Sequence, residues 1–164
     1  MATIQAKHAA KGTALITGAS SGIGESLAGC FAAAGFDLVL VARSADKLQA
    51  LAAALSARHS IQVRVEPADL SQPEAASALA AKLKRARVPV EVLVNNAGVL
   101  AQGLFAGMSV ASQQQMIDLN VAGLTAMLSA FVPPMVERGS GRVLNVASIA
   151  SFQPVPSLAT YAAT

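Results

Sequence analysis

The sequence predicts an α/β domain in which helices cover both faces of a doubly wound parallel sheet. Two observations lead to this prediction. Short apolar runs alternate along the chain with longer segments of helical spacing, and only a few residues connect them. Crossover helices of this kind join parallel strands, and strands buried on both faces are rich in valine and leucine, as these runs are. A chain of 164 residues is long enough for one such domain with a sizeable core.

The predicted strands are short and apolar, and they comprise Ala14–Ile16, Asp37–Ala42, Ile61–Val65, Val90–Val94 and Arg142–Val146. The predicted helices lie between them, at Gly22–Ala34, Ala45–Arg58, Pro73–Arg85 and Ser109–Arg138. Gly35 is placed to end the first helix, because glycine adopts the left-handed conformation at a helix C-terminus without strain. Pro133 and Pro134 are expected to bend or break the last turns of the long helix.

Composition and charge narrow the possible functions. The net charge is +3, and one basic cluster is formed by Lys82, Lys84, Arg85 and Arg87. No aromatic residues interleave this cluster, so we interpret it as a solvated helix end and expect no nucleic-acid partner. No apolar run approaches the ~20 residues that a membrane-spanning helix requires, so we expect no membrane association.

Further predictions concern the N-terminal residues and the single cysteine. Residues 1–12 lack the apolar region of a secretory signal, and we interpret them as a leader preceding a domain at residues 13–164 of a cytoplasmic protein. One cysteine cannot form an internal disulfide, and Cys30 lies among apolar helical residues, where we expect it to pack in the core. We predict no metal site.

A glycine-rich turn follows the first strand, with the sequence Thr-Gly-Ala-Ser-Ser-Gly-Ile-Gly at residues 17–24. A strand, a glycine turn and a helix together present backbone N–H groups and a helix N-terminus to a phosphate. Glycines suit these positions because a Cβ would block the approach of a pyrophosphate or the turn itself. Taken alone, the spacing Gly-x3-Gly-x-Gly is also compatible with a helix start that binds no ligand.

Other polar segments follow the remaining strands, at the edge where an open parallel sheet binds its ligands. They are Arg43-Ser44, Asp69-Leu70, Asn95-Asn96-Ala97-Gly98 and Ser148, with Tyr161 thirteen positions after the serine. With the glycine turn, the Asn-Asn-Ala-Gly and Ser-x12-Tyr motifs resemble the classical branch of the short-chain dehydrogenase/reductase family. The resemblance extends from about Lys11 to the last residue.

This resemblance implies a Rossmann fold and hydride transfer between NADP(H) and a carbonyl or alcohol substrate. It implies that the cofactor is bound by Thr17, Gly18, Ser20, Ser21, Gly22, Ile23, Gly24, Arg43, Asp69, Leu70, Asn96, Ala97 and Gly98. By the same resemblance, Ser148 orients the substrate oxygen and Tyr161 donates or accepts the proton. Asn120 matches the asparagine that holds a water linked to a lysine in relatives. As an isolated residue, Asn120 is equally compatible with a bond to neighbouring backbone.

The end of the second strand favours NADP(H) over NAD(H). An acidic side chain there would bind the ribose hydroxyls and repel a 2′-phosphate, but the position is occupied by Ala42. The next residue is Arg43, whose planar guanidinium can pair with a phosphate through two hydrogen bonds. The alternative is an ordinary surface arginine.

The sequence departs from the family pattern at its end. The family's lysine, four residues after the tyrosine, would be residue 165, whereas the chain ends at Thr164. The last strands of the family sheet are absent in the same way. We therefore expect the chain to be part of a longer oxidoreductase and, as it stands, to be inactive. The alternative is a truncated, non-catalytic nucleotide-binding or interaction module.

Substrate and assembly are predicted only in outline. The apolar side chains expected to line the substrate site are Leu100, Phe105, Ile149 and Phe152, which favour an apolar carbonyl or alcohol. Because relatives commonly form dimers or tetramers through the helix near Asn120–Val136, the resemblance implies a homo-oligomer.

Overall fold

A five-stranded parallel sheet with the order β3-β2-β1-β4-β5 forms the centre of the protein. The structure, a computed structural model, describes residues 10–164. The strands are β1 (Thr13–Thr17), β2 (Asp37–Ala42), β3 (Val63–Pro67), β4 (Val92–Asn95) and β5 (Arg142–Asn145). The helices are α1 (Gly22–Ala33), α2 (Ala45–His59), α3 (Ala75–Arg85), α4 (Val110–Met116), α5 (Leu124–Glu137) and α6 (Ala159–Ala163). The predicted Rossmann-like α/β fold is confirmed.

Alternate residues of each central strand point to opposite sides of the sheet. Helices cover both sides, so both faces are buried. Ile16 and Leu40 lie in one apolar cluster with residues of α1 and α2. Leu15 and Val39 lie in a second cluster with residues of α3 and α5. The β5 edge differs, since all four of its residues are exposed.

The strand register brings the polar strand ends together. Asn95 pairs with Asn145 at the last position of β4 and β5, and Thr17 pairs with Val41 near the end of β2. The loops that follow these residues therefore leave the same edge of the sheet, as predicted from the parallel arrangement.

Helix α1 ends as the sequence predicts. Gly35 has a φ of +85°, and its N–H donates to Ala32 O at 3.0 Å while Phe36 N–H donates to Phe31 O at 3.1 Å. The rings of Phe31 and Phe36 meet edge to face, 5.5 Å apart. These contacts form a Schellman motif, in which the left-handed residue lets the chain turn back towards β2.

The third strand lies two residues later than predicted, at Val63–Pro67 rather than Ile61–Val65. Ser60 ends α2 in the left-handed region with a φ of 56°, and Gln62 N–H then donates to Asp37 Oδ1 at 2.8 Å. A shift of two residues leaves the alternation of apolar and polar side chains unchanged, so the pattern alone could not locate the strand.

The long helix is irregular at a different place from the one predicted. Pro133 and Pro134 do not end α5, which continues to Glu137. Both prolines are exposed, so water can satisfy the carbonyls that they leave without a helical donor. The irregularity is instead a π-helical segment, Ile117–Gly123, between α4 and α5.

The helical stretch Val110–Glu137 is also long and apolar enough to cross a membrane, judged by length and composition alone. The expectation that no stretch reaches this length was therefore wrong. One side of the stretch packs on the sheet through Met127, Phe131 and Met135. Only 22% of its most apolar part is buried, so the opposite side presents an apolar face to solvent.

Three further expectations concern surface positions. Cys30 is exposed, so the prediction that it packs in the core was wrong; the buried side of α1 carries Gly24, Ala28 and Ala32 instead. In the basic cluster, Lys82 forms an ion pair with the buried carboxylate of Glu66. Most of the predicted leader, residues 1–9, lies outside the described residues.

Candidate functional site

Two neighbouring cavities lie along the carboxyl ends of the strands. The first, here called the tyrosine cavity, has a volume of about 300 Å³ and is lined by residues that include Ser148 and Tyr161. The second, here called the arginine cavity, has a volume of about 260 Å³ and is lined by residues that include Arg43 and Asp69. The two adjoin each other and are here together called the depression; they share the lining residues Leu70, Asn96, Ala97, Gly98, Val99 and Leu119.

The structure brings nearly all the predicted site residues to this depression. Besides the shared residues, the tyrosine cavity is lined by Thr17, Ile23, Asn120, Ser148 and Tyr161. The arginine cavity is lined by Gly18, Ser20, Ser21, Arg43 and Asp69. Gly22 and Gly24 line neither cavity, and their predicted contact with a pyrophosphate stays a prediction.

The hydroxyl of Thr17 joins the glycine turn to the end of β4. Its Oγ1 accepts hydrogen bonds from Asn96 N–H and Ala97 N–H, both at 2.9 Å, and donates to Val94 O at 3.3 Å. Thr17 is 1% exposed, so its hydroxyl is shielded from water and bonds to the protein backbone alone among the contacts described. The threonine thereby shapes the floor of both cavities, because Asn96 and Ala97 line each of them.

The glycine turn requires glycine at two positions, Gly18 and Gly24. Gly18 has a φ of +65°, which favours glycine. A Cβ on Gly24 would overlap the Gly18 carbonyl oxygen and come within 2.5 Å of Asn96 Nδ2. Gly24 is therefore needed for packing of α1 against the turn, which explains why it does not line a cavity.

The start of α1 carries no capping side chain, and its first turn includes the acidic residue Glu25. Ser21 is the N-cap residue and makes no side-chain capping hydrogen bond. The first-turn N–H groups of α1 therefore have no serine hydroxyl on them, and a helix N-terminus in this state attracts phosphate. This observation fits a dinucleotide whose pyrophosphate lies beside the glycine turn.

Ser71, two residues after Asp69, holds the Asp69 carboxylate in a turn. Ser71 donates to Asp69 Oδ1 from its hydroxyl at 2.7 Å and from its backbone N–H at 3.1 Å. The hydroxyl bond is the main cause of a lowered pKa of the Asp69 carboxyl, and the positive charge of Arg43 adds to it. The carboxylate is thus kept ionised in the cavity that also holds Arg43.

Replacing Ser71 with alanine is expected to raise the pKa of the Asp69 carboxyl, because the largest contribution to its lowering is removed. A lowered pKa gives stability that is present above the unfolded-state pKa and is lost as the pH falls through the folded-state value. The variant should therefore lose less folding stability than the wild type on acidification. An NMR titration of the Asp69 carboxyl carbon measures the pKa, and an unchanged value would contradict the assigned cause.

Asn120 connects the π segment to two other parts of the site. Its Oδ1 accepts from Val99 N–H at 2.9 Å, and its Nδ2 donates to Val99 O at 3.0 Å and to Thr164 Oγ1 at 3.0 Å. The amide therefore binds backbone, as the sequence alone allowed, but this backbone belongs to the loop after β4 and not to its own helix. The predicted link to a water and a lysine stays a prediction.

Gly123, at the end of the π segment, makes another close approach. A Cβ on this buried residue would lie 2.5 Å from the Leu70 carbonyl oxygen. Leu70 lines both cavities, so this contact places the π segment directly against the depression.

Ser148 and Tyr161 reach the same cavity from different elements. Ser148 is the residue before a 3₁₀ turn at Ile149–Phe152, and its Oγ accepts from Ala150 N–H at 3.2 Å. Its hydroxyl proton remains able to donate to a ligand. Tyr161 lies on α6 and is half-buried, and the hydroxyl-bearing residues Thr17, Ser151 and Thr164 line the same cavity.

The expected apolar lining is present only in part. Leu100 lines the tyrosine cavity and is 54% exposed. Phe105, Ile149 and Phe152 line neither cavity and are exposed on the surface, so the expectation was wrong for these three residues. They belong to loops that leave the same edge of the sheet.

The sequence analysis missed the amide pair formed by Asn95 and Asn145. Asn95 Nδ2 donates to Asn145 Oδ1 at 2.9 Å across the ends of β4 and β5, and both residues line the tyrosine cavity. Two asparagines at the last positions of adjacent strands were a usable signal. Within residues 10–164, no group of three or more histidine, cysteine, aspartate or glutamate residues could hold a metal ion.

Comparison with known proteins identifies one family. A family model described as short chain dehydrogenase matches residues 12–164. The chain is 35% identical over 151 residues to nodulation protein G of Rhizobium sp. (strain N33), a match that covers 92% of this chain and 60% of that protein. It thus spans less than two thirds of that relative's length.

Solved structures with the same fold include dinucleotide complexes. The alcohol dehydrogenase from the archaeon Thermococcus sibiricus, complexed with 5-hydroxy-NADP, has a TM-score of 0.88 and 32% identity, covering 93% of this chain and 64% of that one. A short-chain dehydrogenase from Sphingobium yanoikuyae in complex with NADPH has a TM-score of 0.86 and 38% identity, covering 93% of this chain and 59% of that one.

Proposed function

The chain belongs to the short-chain dehydrogenase family, and on that premise we propose that it forms the cofactor-binding and proton-transfer part of an NADP(H)-dependent oxidoreductase acting on a carbonyl or alcohol. One observation carries this proposal. The cavity that holds Ser148 and Tyr161 adjoins the cavity that holds Arg43 and Asp69, and the two have six lining residues in common. A single elongated ligand lying along both cavities would reach both pairs of residues.

The residues of the depression fit a dinucleotide along its length. The open start of α1 and the glycine turn would hold the pyrophosphate. Arg43 would pair with a 2′-phosphate, and Asp69 with Leu70 would meet the adenine. The side chain of Asn96 donates to Thr17 O at 3.0 Å, so this residue would act mainly by holding the cavity wall.

The hydroxyl groups of Ser148 and Tyr161 would supply the chemistry that falls to the protein. When bound, the dinucleotide supplies or accepts the hydride. Reduction of a carbonyl leaves an alkoxide that needs a proton, and the Tyr161 hydroxyl, which lines this cavity, would donate it. Ser148 would donate a hydrogen bond to the same oxygen and stabilise its developing charge.

Titration with NADP⁺, followed by tyrosine fluorescence, tests this proposal. The chain contains one tyrosine and no tryptophan, so its emission reports on Tyr161 alone. We expect quenching that saturates as the cofactor fills the tyrosine cavity, and carbonyl reduction with NADPH by the protein at its native length. Absence of binding by the chain, together with absence of turnover across a broad carbonyl panel, would refute the proposal.

Replacing Arg43 with glutamine is expected to weaken NADPH binding about tenfold or more, because a hydrogen bond to a charged group contributes about 1.5–3 kcal/mol. Binding of NADH, which lacks the 2′-phosphate, should be nearly unchanged. Arg58→Gln is the matched control, since Arg58 is an exposed arginine at the far end of α2. Calorimetric affinities for both cofactors measure the effect, and an equal loss for NADPH and NADH would contradict the role of Arg43.

The surroundings of the tyrosine cavity favour an apolar substrate. Ile23, Leu100 and Leu119 form part of its lining. A substrate with an apolar body would cover these side chains as it enters. We accordingly propose a hydrophobic carbonyl or alcohol compound.

Assembly and location complete the proposal. The exposed apolar face of the helical stretch Val110–Glu137 would be covered in a homo-oligomer. Val110 and Val136 are 81% and 72% exposed on this stretch. We place the enzyme in the cytoplasm, without a membrane or nucleic-acid partner.

The exposed β5 edge favours a second candidate function, a non-catalytic nucleotide-binding or interaction module. Val143 and Leu144 are 42% and 41% exposed on this strand, and such an edge can pair with another strand. This alternative predicts cofactor binding without turnover at the native length. The intact mass of the protein from its native source and the turnover assay together distinguish the two functions.

A further inference from the structure

We propose that Gln113 and Thr160 are positioning residues that hold Tyr161 in the tyrosine cavity, and that they couple its helix to the loop after β4. The Thr160 hydroxyl donates to Gln113 Oε1 at 3.0 Å, between residues 47 positions apart in the chain. Thr160 immediately precedes Tyr161, so this bond acts directly on the backbone that carries the phenol.

Helix α6 is short and only partly buried, and it packs against α4 and against the 3₁₀ turn at Ile149–Phe152. It is five residues long, and none of its residues is fully buried. Apolar packing therefore supplies only a small part of its placement, and specific polar contacts supply the rest. Helix α4, which carries Gln113, packs against α6.

The amide of Gln113 is oriented by contacts at both of its ends. Its Nε2 donates to Met108 O at 3.4 Å, while its Oε1 accepts from Thr160. The carbonyl of Met108 ends the loop that runs from β4 to α4. Gln113 thus binds this loop and α6 at once.

Two other hydrogen bonds join the same two parts of the chain. Gly103 N–H donates to Ser157 O at 3.0 Å, just before α6. Asn120 Nδ2 donates to Thr164 Oγ1 at 3.0 Å, just after it. The segment from 99 to 120 therefore holds α6 before, within and after the helix, and Thr160 is the contact nearest to the phenol.

This arrangement has a functional consequence. Leu100 and Val99 on the loop after β4 line the tyrosine cavity. A substrate that displaces this loop would move α6 through Gln113, so the fit of the substrate and the position of the phenol are linked. The inference rests on the proposed function of Tyr161 as the proton donor.

Thr160→Val and Thr160→Ser test the contact, because valine removes the hydroxyl at nearly constant shape and serine keeps it. Gln113→Ala removes the partner, and Gln115→Ala is the control at an exposed glutamine of the same helix. Acrylamide quenching of Tyr161 emission measures how well the phenol is shielded. We expect Thr160→Val and Gln113→Ala to raise the quenching constant about twofold, as expected when a local contact is lost. Thr160→Ser and Gln115→Ala should retain the wild-type value.

Kinetics of the protein at its native length provide the second measurement. A displaced catalytic group lowers turnover steeply, so we expect kcat to fall about tenfold or more in Thr160→Val, with the affinity for NADPH unchanged. Thr160→Ser should restore most of the rate. Wild-type shielding and wild-type kcat in both Thr160→Val and Gln113→Ala would overturn the inference.

Failure of the proposed function and failure of the positioning role give different results in these experiments. If the wild type neither binds cofactor nor turns over, the proposed function fails, but the quenching comparison still shows whether Thr160 and Gln113 hold the phenol. If the wild type is active and the variants lose shielding without losing kcat, the positioning role is refuted. Thermal melts verify that each variant is folded when it is measured.

Discussion

Replacing Tyr161 with phenylalanine is expected to lower the rate of carbonyl reduction by about 10²–10⁴-fold, the usual contribution of a positioned general acid. Phenylalanine keeps the ring that lines the tyrosine cavity and removes only the hydroxyl. The shape of the cavity and the folding stability should therefore change little. Turnover with NADPH by the protein at its native length measures the effect.

The affinity for NADPH serves as the internal control of this experiment. Arg43 and Asp69 line the arginine cavity and not the tyrosine cavity, so the dissociation constant should stay close to that of the wild type. A variant that turned over at the wild-type rate would show that another group supplies the proton. Equal losses of affinity and rate would assign Tyr161 a role in binding instead.

Replacing Gly24 with alanine is expected to destabilise the protein and to weaken cofactor binding. The added Cβ would overlap the Gly18 carbonyl oxygen, which is a backbone atom, and would press on Asn96 Nδ2, which donates to Thr17 O. Overpacking of this kind costs about 1–3 kcal/mol. Relief of the clash would shift the glycine turn, so we expect the affinity for NADPH to fall as well.

Gly29→Ala is the matched control, because Gly29 lies in the same helix and a Cβ there would meet no atom within 4 Å. Alanine has the higher helix propensity, so this variant should gain about 0.5–1 kcal/mol and bind NADPH as the wild type does. Urea denaturation measures the change in folding stability of both variants. Equal effects of the two substitutions would show that helix propensity, and not the close approach to Gly18, governs the position.

Much of the site could be predicted because its residues follow strands directly. Thr17, Arg43 and Asp69 lie at or just beyond the ends of their strands, and a parallel sheet brings such ends to one edge. Their individual contacts could not be predicted. The three hydrogen bonds of the Thr17 hydroxyl depend on β4 lying beside β1, which is a property of the assembled sheet.

The residues that sequence analysis misplaced are those whose surroundings come from distant parts of the chain. Phe105, Ile149 and Phe152 are apolar but exposed, and exposure depends on which parts of the folded chain lie around a residue. Cys30 lies among apolar neighbours in the sequence, yet helical geometry turns it away from the stripe that contains Ala28. The period of the helix therefore predicts the exposure of Cys30 better than its neighbours in the sequence do.

Helix α6 was not among the predicted elements. The sequence by itself predicted the alternation of five strands with helices, the parallel doubly wound sheet and most of the candidate site residues that line the two cavities. Local patterns suffice for these features, because apolar periodicity and glycine spacing act over a few neighbouring residues. The tertiary structure alone decided the π segment, the close packing of Gly123 on Leu70 and the contacts of α6 with α4. Each of these depends on atoms that are far apart in the chain and meet only once the sheet and both helix layers have assembled.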